Sequence, residues 1–376
     1  MMERETSRAW AEISRSALEH NYRAIRSHLP AGCRFLGIVK ADAYGHGAVR
    51  VSRALSDFGC DMLAVACLAE GEELRAAGID LPILILGPTL PQLAERVVAA
   101  GLTQAVGEPV LARALSDAAG RLGRPALVHV KLDTGMSRSG ILARQADRAA
   151  DEAAAICALP HLEVGGVFTH FAAADADEDY TMTQFTRFLE ALDAAERRHH
   201  LTFPIRHCAA SSAVLNYPCT HLDMVRPGIA LYGHYPAPSC RDNSPVELEP
   251  VMSLYARVAA VRHVPAGTPI GYGCTHVVDR DSRIATLSIG YADGLLRTLS
   301  DRLTVGLAGG RAPVLGLLCM DMCMADVTDL DGVSVGDAAC IFGPSVPLEE
   351  VSALAGTIHY ELLCAVAPRV ERVWLP

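Results

Sequence analysis

The run Phe35-Leu36-Gly37-Ile38-Val39-Lys40-Ala41-Asp42-Ala43-Tyr44-Gly45-His46-Gly47 decides the fold. Its first five residues are apolar or small and suit a short buried strand. A lysine closes that strand, and two glycines open a stretch, 45–58, whose composition and period suit a helix. An ammonium group is costly to bury alone. A lysine ending a core strand must therefore be paired, deprotonated or joined to a carbonyl, which makes Lys40 the leading candidate for chemistry.

This strand-then-helix unit recurs along the chain. Apolar, β-rich runs at 35–40, 62–67, 82–87, 103–106, 127–132, 164–169, 205–209 and 224–231 alternate with helical segments such as 108–121, 140–158 and 181–200, rich in Ala, Leu, Glu and Arg. Eight such units predict a (β/α)8 TIM-type barrel. After Gly233 the composition shifts through Pro236, Pro238, Ser239 and Pro245, as in a linker. Beyond it the runs 252–264, 283–291, 303–308, 312–318 and 337–342 are strand-like and cut by Gly, Pro and Asp turns. The expected organisation is α/β: a barrel over 1–238, then a mostly β C-terminal domain over 239–376.

Bulk properties narrow the function. With 376 residues, 51% of them hydrophobic, both domains can bury a core. A net charge of −10 disfavours nucleic acid and anionic membranes as partners and favours a small molecule. No apolar run reaches the roughly 18 residues of a membrane span, and the polar start Met1-Met2-Glu3-Arg4-Glu5-Thr6 lacks the core of a signal peptide, so a cytoplasmic location is expected. The twelve cysteines are scattered without C-x-x-C spacing and read as reduced packing residues, with no metal site expected. His199-His200 follows Arg197-Arg198 and reads as a solvated, dipole-favoured helix C-terminus.

Active sites of such barrels lie at the carboxyl ends of the strands. There the sequence places Lys40 after the first run, Lys131 and Asp133 at the fifth, His170 after the sixth, His207 and Ser211 with the seventh, and Arg226 in the eighth. Taken singly, these are ordinary structural groups: Lys131 an ion-pair partner of Asp133 or a glutamate, His170 a core histidine. Their convergence on one rim is not ordinary. The loops after strands seven and eight commonly bind phosphate, and here they offer Ser211-Ser212 and the turn Arg226-Pro227-Gly228-Ile229. A lysine able to form a Schiff base opposite a phosphate site suggests pyridoxal 5′-phosphate.

Taken together, the motifs resemble the alanine racemase family over almost the whole chain, from Trp10-Ala11-Glu12-Ile13 to Arg369-Val370. The resemblance rests on the opening run, on Lys131-Leu132-Asp133-Thr134-Gly135-Met136-Ser137-Arg138, Thr169-His170-Phe171 and Val225-Arg226-Pro227-Gly228-Ile229. It extends to Gly271-Tyr272-Gly273, Ile289-Gly290-Tyr291-Ala292-Asp293-Gly294, Cys319-Met320-Asp321 and Tyr360-Glu361. It implies that Lys40 carries pyridoxal 5′-phosphate, that Tyr44, Ser211, the Gly228-Ile229 backbone and Tyr360 hold the phosphate, and that Arg226 faces the pyridine nitrogen with His170 bonded to it. Arg138 and Met320 would meet the substrate, Lys131, carbamylated in many relatives, would support Arg138, and Asp175, Tyr291 and Arg297 would line the entrance. It further implies a homodimer with shared sites, Tyr272 and Met320 reaching the partner's cofactor, and a role in supplying D-alanine to a bacterial cell wall.

Racemisation needs an acid/base group on each face of a planar carbon, a pair that Lys40 and Tyr272 would form. Taken alone, Tyr272 is a turn aromatic between glycines and Tyr360 ordinary packing. Leu317 stands where many relatives carry arginine, and Met322 replaces a frequent glutamine, both toward the entrance. Met320 and Tyr360 predict a small side-chain pocket, with alanine preferred over serine. The rivals are a racemase of broader range, a basic amino-acid decarboxylase, and a non-catalytic carrier of pyridoxal 5′-phosphate. Arg226 speaks against the decarboxylase, which would place an acid at the pyridine nitrogen. Tyr272 and the domain after Gly233 speak against the carrier.

Overall fold

Residues 6–376 are described in the computed structural model of the chain. The start Met1–Glu5, on which the signal-peptide reading rests, lies outside them. The described residues form two compact units. One comprises Leu18–Ala43 and Ala48–Glu249, the other the segment up to Ala17, Tyr44–Gly47 and Pro250–Pro376.

The first unit is the barrel. Its strands are Arg34–Ile38, Met62–Val65, Ile83–Ile85, Thr103–Val106, Ala126–Asp133, Leu162–Phe168, Arg206–His207 and Met224–Val225, each within or beside one of the eight apolar runs. They pair in parallel and in chain order, and the last returns to the first with Met224 opposite Arg34 and Val225 opposite Phe35. The seam between the seventh and eighth strands is bridged from Ala210 to Arg226, whose N–H donates to the Ala209 carbonyl at 2.9 Å. Arg226 thus sits on the closing seam. Strands covered by helices outside and side chains inside need apolar residues on both faces, and Met62–Val65, Ile83–Ile85 and Thr103–Val106 are buried throughout.

Helix boundaries follow local chemistry. In Glu178–His199 the Asp177 carboxylate accepts the Tyr180 N–H, acids fill the first turn and Arg197, Arg198 and His199 the last. Arg198 and His199 both pair with Asp151, in keeping with a solvated helix end.

The second unit is built on a sheet in the order Ser282–Leu287, Cys323–Asp326, Gly310–Leu315, Thr304–Leu307, Ala338–Phe342, Met252–Val264, Ala9–Ser14 and Glu371–Leu375. The 13-residue strand Met252–Val264 shifts register between Val258 and Ala260 and pairs with Ser282–Leu287 as well, which curls the sheet on itself. Ala9–Ser14 lies between two strands of the C-terminal half, antiparallel to Met252–Val264 and parallel to Glu371–Leu375. Its Trp10 is fully buried, stacks on Tyr255 at 5.4 Å and lies under the Arg257 guanidinium. Among the described residues no helix is long and apolar enough to cross a membrane, and the cysteines are free thiols.

Candidate active site

On the barrel the expected site residues begin at Lys40, half-buried two residues beyond the first strand. The chain then makes a left-handed helical turn, with φ of 52°, 52°, 53° and 53° at Ala41, Asp42, Ala43 and Tyr44. Consecutive non-glycine residues in this conformation are strained, at about 1–2 kcal/mol each, so the surroundings must over-determine them. Ala41 N–H donates to one Glu70 oxygen at 2.8 Å while the other accepts Ala66 N–H at 2.6 Å, and Asp42 accepts the Ala48 N–H at 2.7 Å. Asp42 and Glu70 were not among the expected site residues. The signal for Glu70 was weak: an acid in the first turn of the helix Leu68–Ala76 after the second strand.

Arg226 is buried, at 2% exposure, and its donors end on neutral groups. Nη1 donates to His207 Nδ1 at 2.9 Å. Nη2 donates to the carbonyls of Thr169 at 2.8 Å and Cys208 at 3.1 Å, and to His170 Nδ1 at 3.3 Å. The guanidinium lies 5.3 Å over the Phe168 ring, which stacks on His207. Burial, with Arg226, Arg138, Lys40 and Lys131 close enough to oppose a charge, drives His170 well below the usual histidine range, so its ring is neutral. Burial also lowers Arg226 to about 10, still charged at neutral pH.

Asp133 and Lys131 do not bond each other. The Asp133 carboxylate caps its own loop, accepting the N–H groups of Gly135, Met136 and Ser137 on Oδ1 and that of Arg138 on Oδ2. Lys131 Nζ instead donates to Ser139 Oγ at 2.6 Å. Burial and the charges of Arg138 and Arg226 bring its amine down to about 8. Next to the seam, Ser211 Oγ accepts the N–H of Gly228 at 2.9 Å and of Ala230 at 3.2 Å, so its own hydrogen is what it has left to donate. Ile229 opens a 3-10 turn, where backbone N–H groups lie outside the helical ladder. Asp175 is exposed, its carbonyl bonded by Ser239.

The second unit carries the remaining expected residues. Tyr44 is buried with its ring 6.1 Å from that of Tyr360, and burial pushes its phenol above the usual range. Tyr272 is 69% exposed on a turn whose glycines take φ of 74° and 72°. Met320 and Tyr291 come from two loops stitched together by Tyr291 N–H to the Cys319 carbonyl and Ala292 N–H to the Met320 carbonyl, both 3.0 Å. Asp293, fully buried, ties this loop pair to Arg8 and Arg369, and Arg369 goes on to Asp321. Arg297 is exposed on a short 3-10 turn. Leu317 lies against the glycines around Tyr272.

Comparison with known proteins assigns both halves. The family model described as alanine racemase, N-terminal domain, matches residues 13–236, and the C-terminal domain model matches residues 251–374. The chain belongs to the alanine racemase family. The protein named alanine racemase in Desulfovibrio desulfuricans is 47% identical, over 97% of this chain and 98% of its own. A solved alanine racemase from Clostridium difficile 630 superposes with a TM-score of 0.93 at 36% identity, covering 98% of this chain and 96% of its own. A structure of the same enzyme in complex with cycloserine gives 0.91 at 35% identity, with the same coverage. As the sequence led one to expect, the alanine racemase fold is here, a barrel and a β-rich second unit.

Proposed function

We propose that this chain is a racemase interconverting L- and D-alanine with pyridoxal 5′-phosphate bound on a barrel domain, 1–238, while the β domain, 239–376, serves the partner subunit's site. The observation that carries the reading is the charge balance at the barrel rim. Among the described residues Arg226 is a buried cation whose side-chain donors end on neutral groups, the charges of Lys40, Lys131 and Arg138 act at the same place, and the neighbouring acids Asp133, Asp42 and Glu70 are taken up by backbone N–H groups. Such a pocket calls for anions. A phosphorylated cofactor and an amino-acid carboxylate supply them, and the Ser211 hydroxyl with the Gly228-Ile229 backbone suits the phosphate, together with Tyr44 and Tyr360.

Bound pyridoxal 5′-phosphate would supply the electron sink that lets Cα give up a proton. Lys40 would hold the cofactor and move that proton on one face, and the phenol of Tyr272 from the partner subunit would move it on the other. Arg226 cannot surrender its proton, so it would meet the pyridine nitrogen as a donor only. His170, accepting from Arg226 on Nδ1, carries its own proton on Nε2. Arg138 and Met320 would receive the substrate, and Asp175, Tyr291 and Arg297 would border its path. The exposure of Tyr272, Met320, Met322 and Tyr291, at 69%, 53%, 48% and 41%, supports a homodimer in which a partner covers them. Cytoplasmic placement, beside the amino-acid pool, belongs to the same reading.

The test is incubation with L-alanine in deuterated water, following both enantiomers and label at Cα. Labelled D-alanine is the expected product; unlabelled, unchanged L-alanine with cofactor bound would overturn the reading. Lys40→Ala should lose the visible absorbance of bound cofactor, and Tyr272→Phe should keep it while losing exchange on one face. Mixing these two variants should restore activity, because one site of each mixed dimer then holds both groups. No recovery would sink the shared site. Serine should turn over more slowly than alanine.

A further inference from the structure

The mechanism leaves one buried polar device unused. His129, in the middle of the strand Ala126–Asp133, is 2% exposed and places Nδ1 2.9 Å from His207 Nε2, whose other nitrogen accepts from Arg226. Room for this ring is made by two consecutive glycines on the neighbouring strand. A Cβ at Gly165 would come 3.1 Å from His129 Nε2, and one at Gly166 would come 2.9 Å from Cε1 and 2.6 Å from the Ile205 carbonyl. Paired glycines weaken a strand, and the strand pair shifts register beside His129. The fold accepts both costs at the one place where the ring enters.

The direction of the hydrogen bonds follows from donor chemistry alone. A guanidinium only donates, so His207 Nδ1 is an acceptor and the proton of neutral His207 sits on Nε2. That proton goes to His129 Nδ1, which leaves His129 with its proton on Nε2. This last atom has no acceptor among the described residues and borders a cleft of about 450 Å³ at the amino-terminal mouth of the barrel, lined also by Arg34, Asp61, Thr103, Glu163 and Met224. Every donation therefore runs one way, from the rim to the floor. Burial and the Arg226 charge hold both rings neutral, His129 at about 4 and His207 well below its usual range.

We propose that His129 is a positioning residue for Arg226: acting through His207, it fixes the tautomer that accepts from the guanidinium and so holds Arg226 aimed at the cofactor's ring nitrogen. Without the acceptor on His129, His207 is free to carry its proton on Nδ1 and confront Arg226 donor to donor. The role assigned to Arg226 rests on the racemase reading above; the hydrogen-bond chain itself does not.

Two measurements separate these levels. In the protein labelled with ¹⁵N-histidine, with resonances assigned through His129→Asn and His207→Asn, both rings should be neutral with the proton on Nε2 from pH 6 to 9, whether or not cofactor is bound. A proton on Nδ1 of either ring overturns the chain even if the racemase reading stands. In the holoenzyme, His129→Phe keeps the bulk but removes the acceptor, and kcat should fall about tenfold, the lower end of what loss of an orienting partner costs, with KM within about twofold. The cofactor's absorbance should titrate at a different pH. His129→Asn, whose Oδ1 stands in for Nδ1, should restore both. Equal kcat and an unmoved titration in the two variants would leave His129 a packing residue and sink the proposal. Should His129→Phe fail to fold, Gly165→Ala displaces the ring from the Nε2 side and is read in the same way. Absence of cofactor binding by the unsubstituted protein would defeat the racemase reading while the tautomers remain measurable.

Discussion

Lys131 is the residue whose chemistry depends most on its surroundings. An amine brought down to about 8 is substantially unprotonated near that pH, and a free amine adds to carbon dioxide, forming a C–N bond and releasing one proton to give a carbamate. The product would place an anion between Arg138 and Arg226, where burial and two cations now oppose the ammonium. Under ¹³C-labelled carbon dioxide the protein should show a carbamate resonance that grows as pH rises through about 8 and is missing in Lys131→Ala. That variant should lose about tenfold in kcat/KM as Arg138 loses its support; no resonance at any pH would mean that the lysine acts as an amine. His129 makes a separate pH dependence. Its ring titrates at about 4 in the folded chain against about 6.5 when unfolded, so between those values the unfolded state binds more protons. Stability conferred by the neutral ring is full above about 6.5 and is lost as pH falls toward 4. Urea midpoints measured from pH 7 to 4 should fall more steeply for the wild type than for His129→Asn; parallel profiles would show that the ring is not held neutral.

At the scale of elements, the eight barrel strands were legible because strands buried on both faces write themselves as uninterrupted apolar runs. The left-handed turn at Ala41–Tyr44 was not, since nothing in Ala-Asp-Ala marks φ near +52°, and the turn is held by backbone N–H groups bonded to Glu70 and Asp42. For the same reason the candidate site was readable where residues carry a reactive group, as at Lys40 or Arg226, and unreadable where they act by accepting a backbone N–H, as at Glu70, or by having no side chain, as at Gly165 and Gly166. Gly45 supplies a test. It has φ of +78°, and a Cβ there would lie 2.3 Å from the Leu363 carbonyl, whereas Gly47, at φ +96°, has nothing within 4 Å. Gly47→Ala should therefore cost only backbone strain, about 1 kcal/mol, and Gly45→Ala that amount plus about 1–3 kcal/mol of overpacking against a backbone that cannot rotate away. Urea unfolding of the pair decides this, and equal losses would contradict it.

For the whole molecule the decisive element is the strand Ala9–Ser14, which the alternation of runs did not reveal. Its six residues stand before the first repeat, and their partners Met252–Val264 and Glu371–Leu375 lie hundreds of residues away, a pairing that no local pattern encodes. Cys323–Asp326 and Glu371–Leu375 escaped for a simpler reason: Asp326 in one, and Glu371 with Arg372 in the other, cut short the apolar run that marks the other strands. The consequence is that the second unit is discontinuous. Its sheet needs Ala9–Ser14 to join Met252–Val264 to Glu371–Leu375, and its buried Asp293 needs Arg8 as well as Arg369. A fragment of residues 250–376 expressed alone would expose two unpaired strand edges and the Tyr255 face on which Trp10 stacks, and would leave Asp293 with half its counter-charge. It should fail to show a cooperative thermal transition. Joining residues 6–17 to it through a flexible linker should restore one by supplying the missing strand and Arg8 together, and Trp10→Ala in that joined fragment should remove most of the gain, since truncating a buried tryptophan costs about 3–5 kcal/mol. Cooperative melting of 250–376 without the N-terminal strand would show that the sheet is held by its own antiparallel strands and that Ala9–Ser14 is an accessory to it.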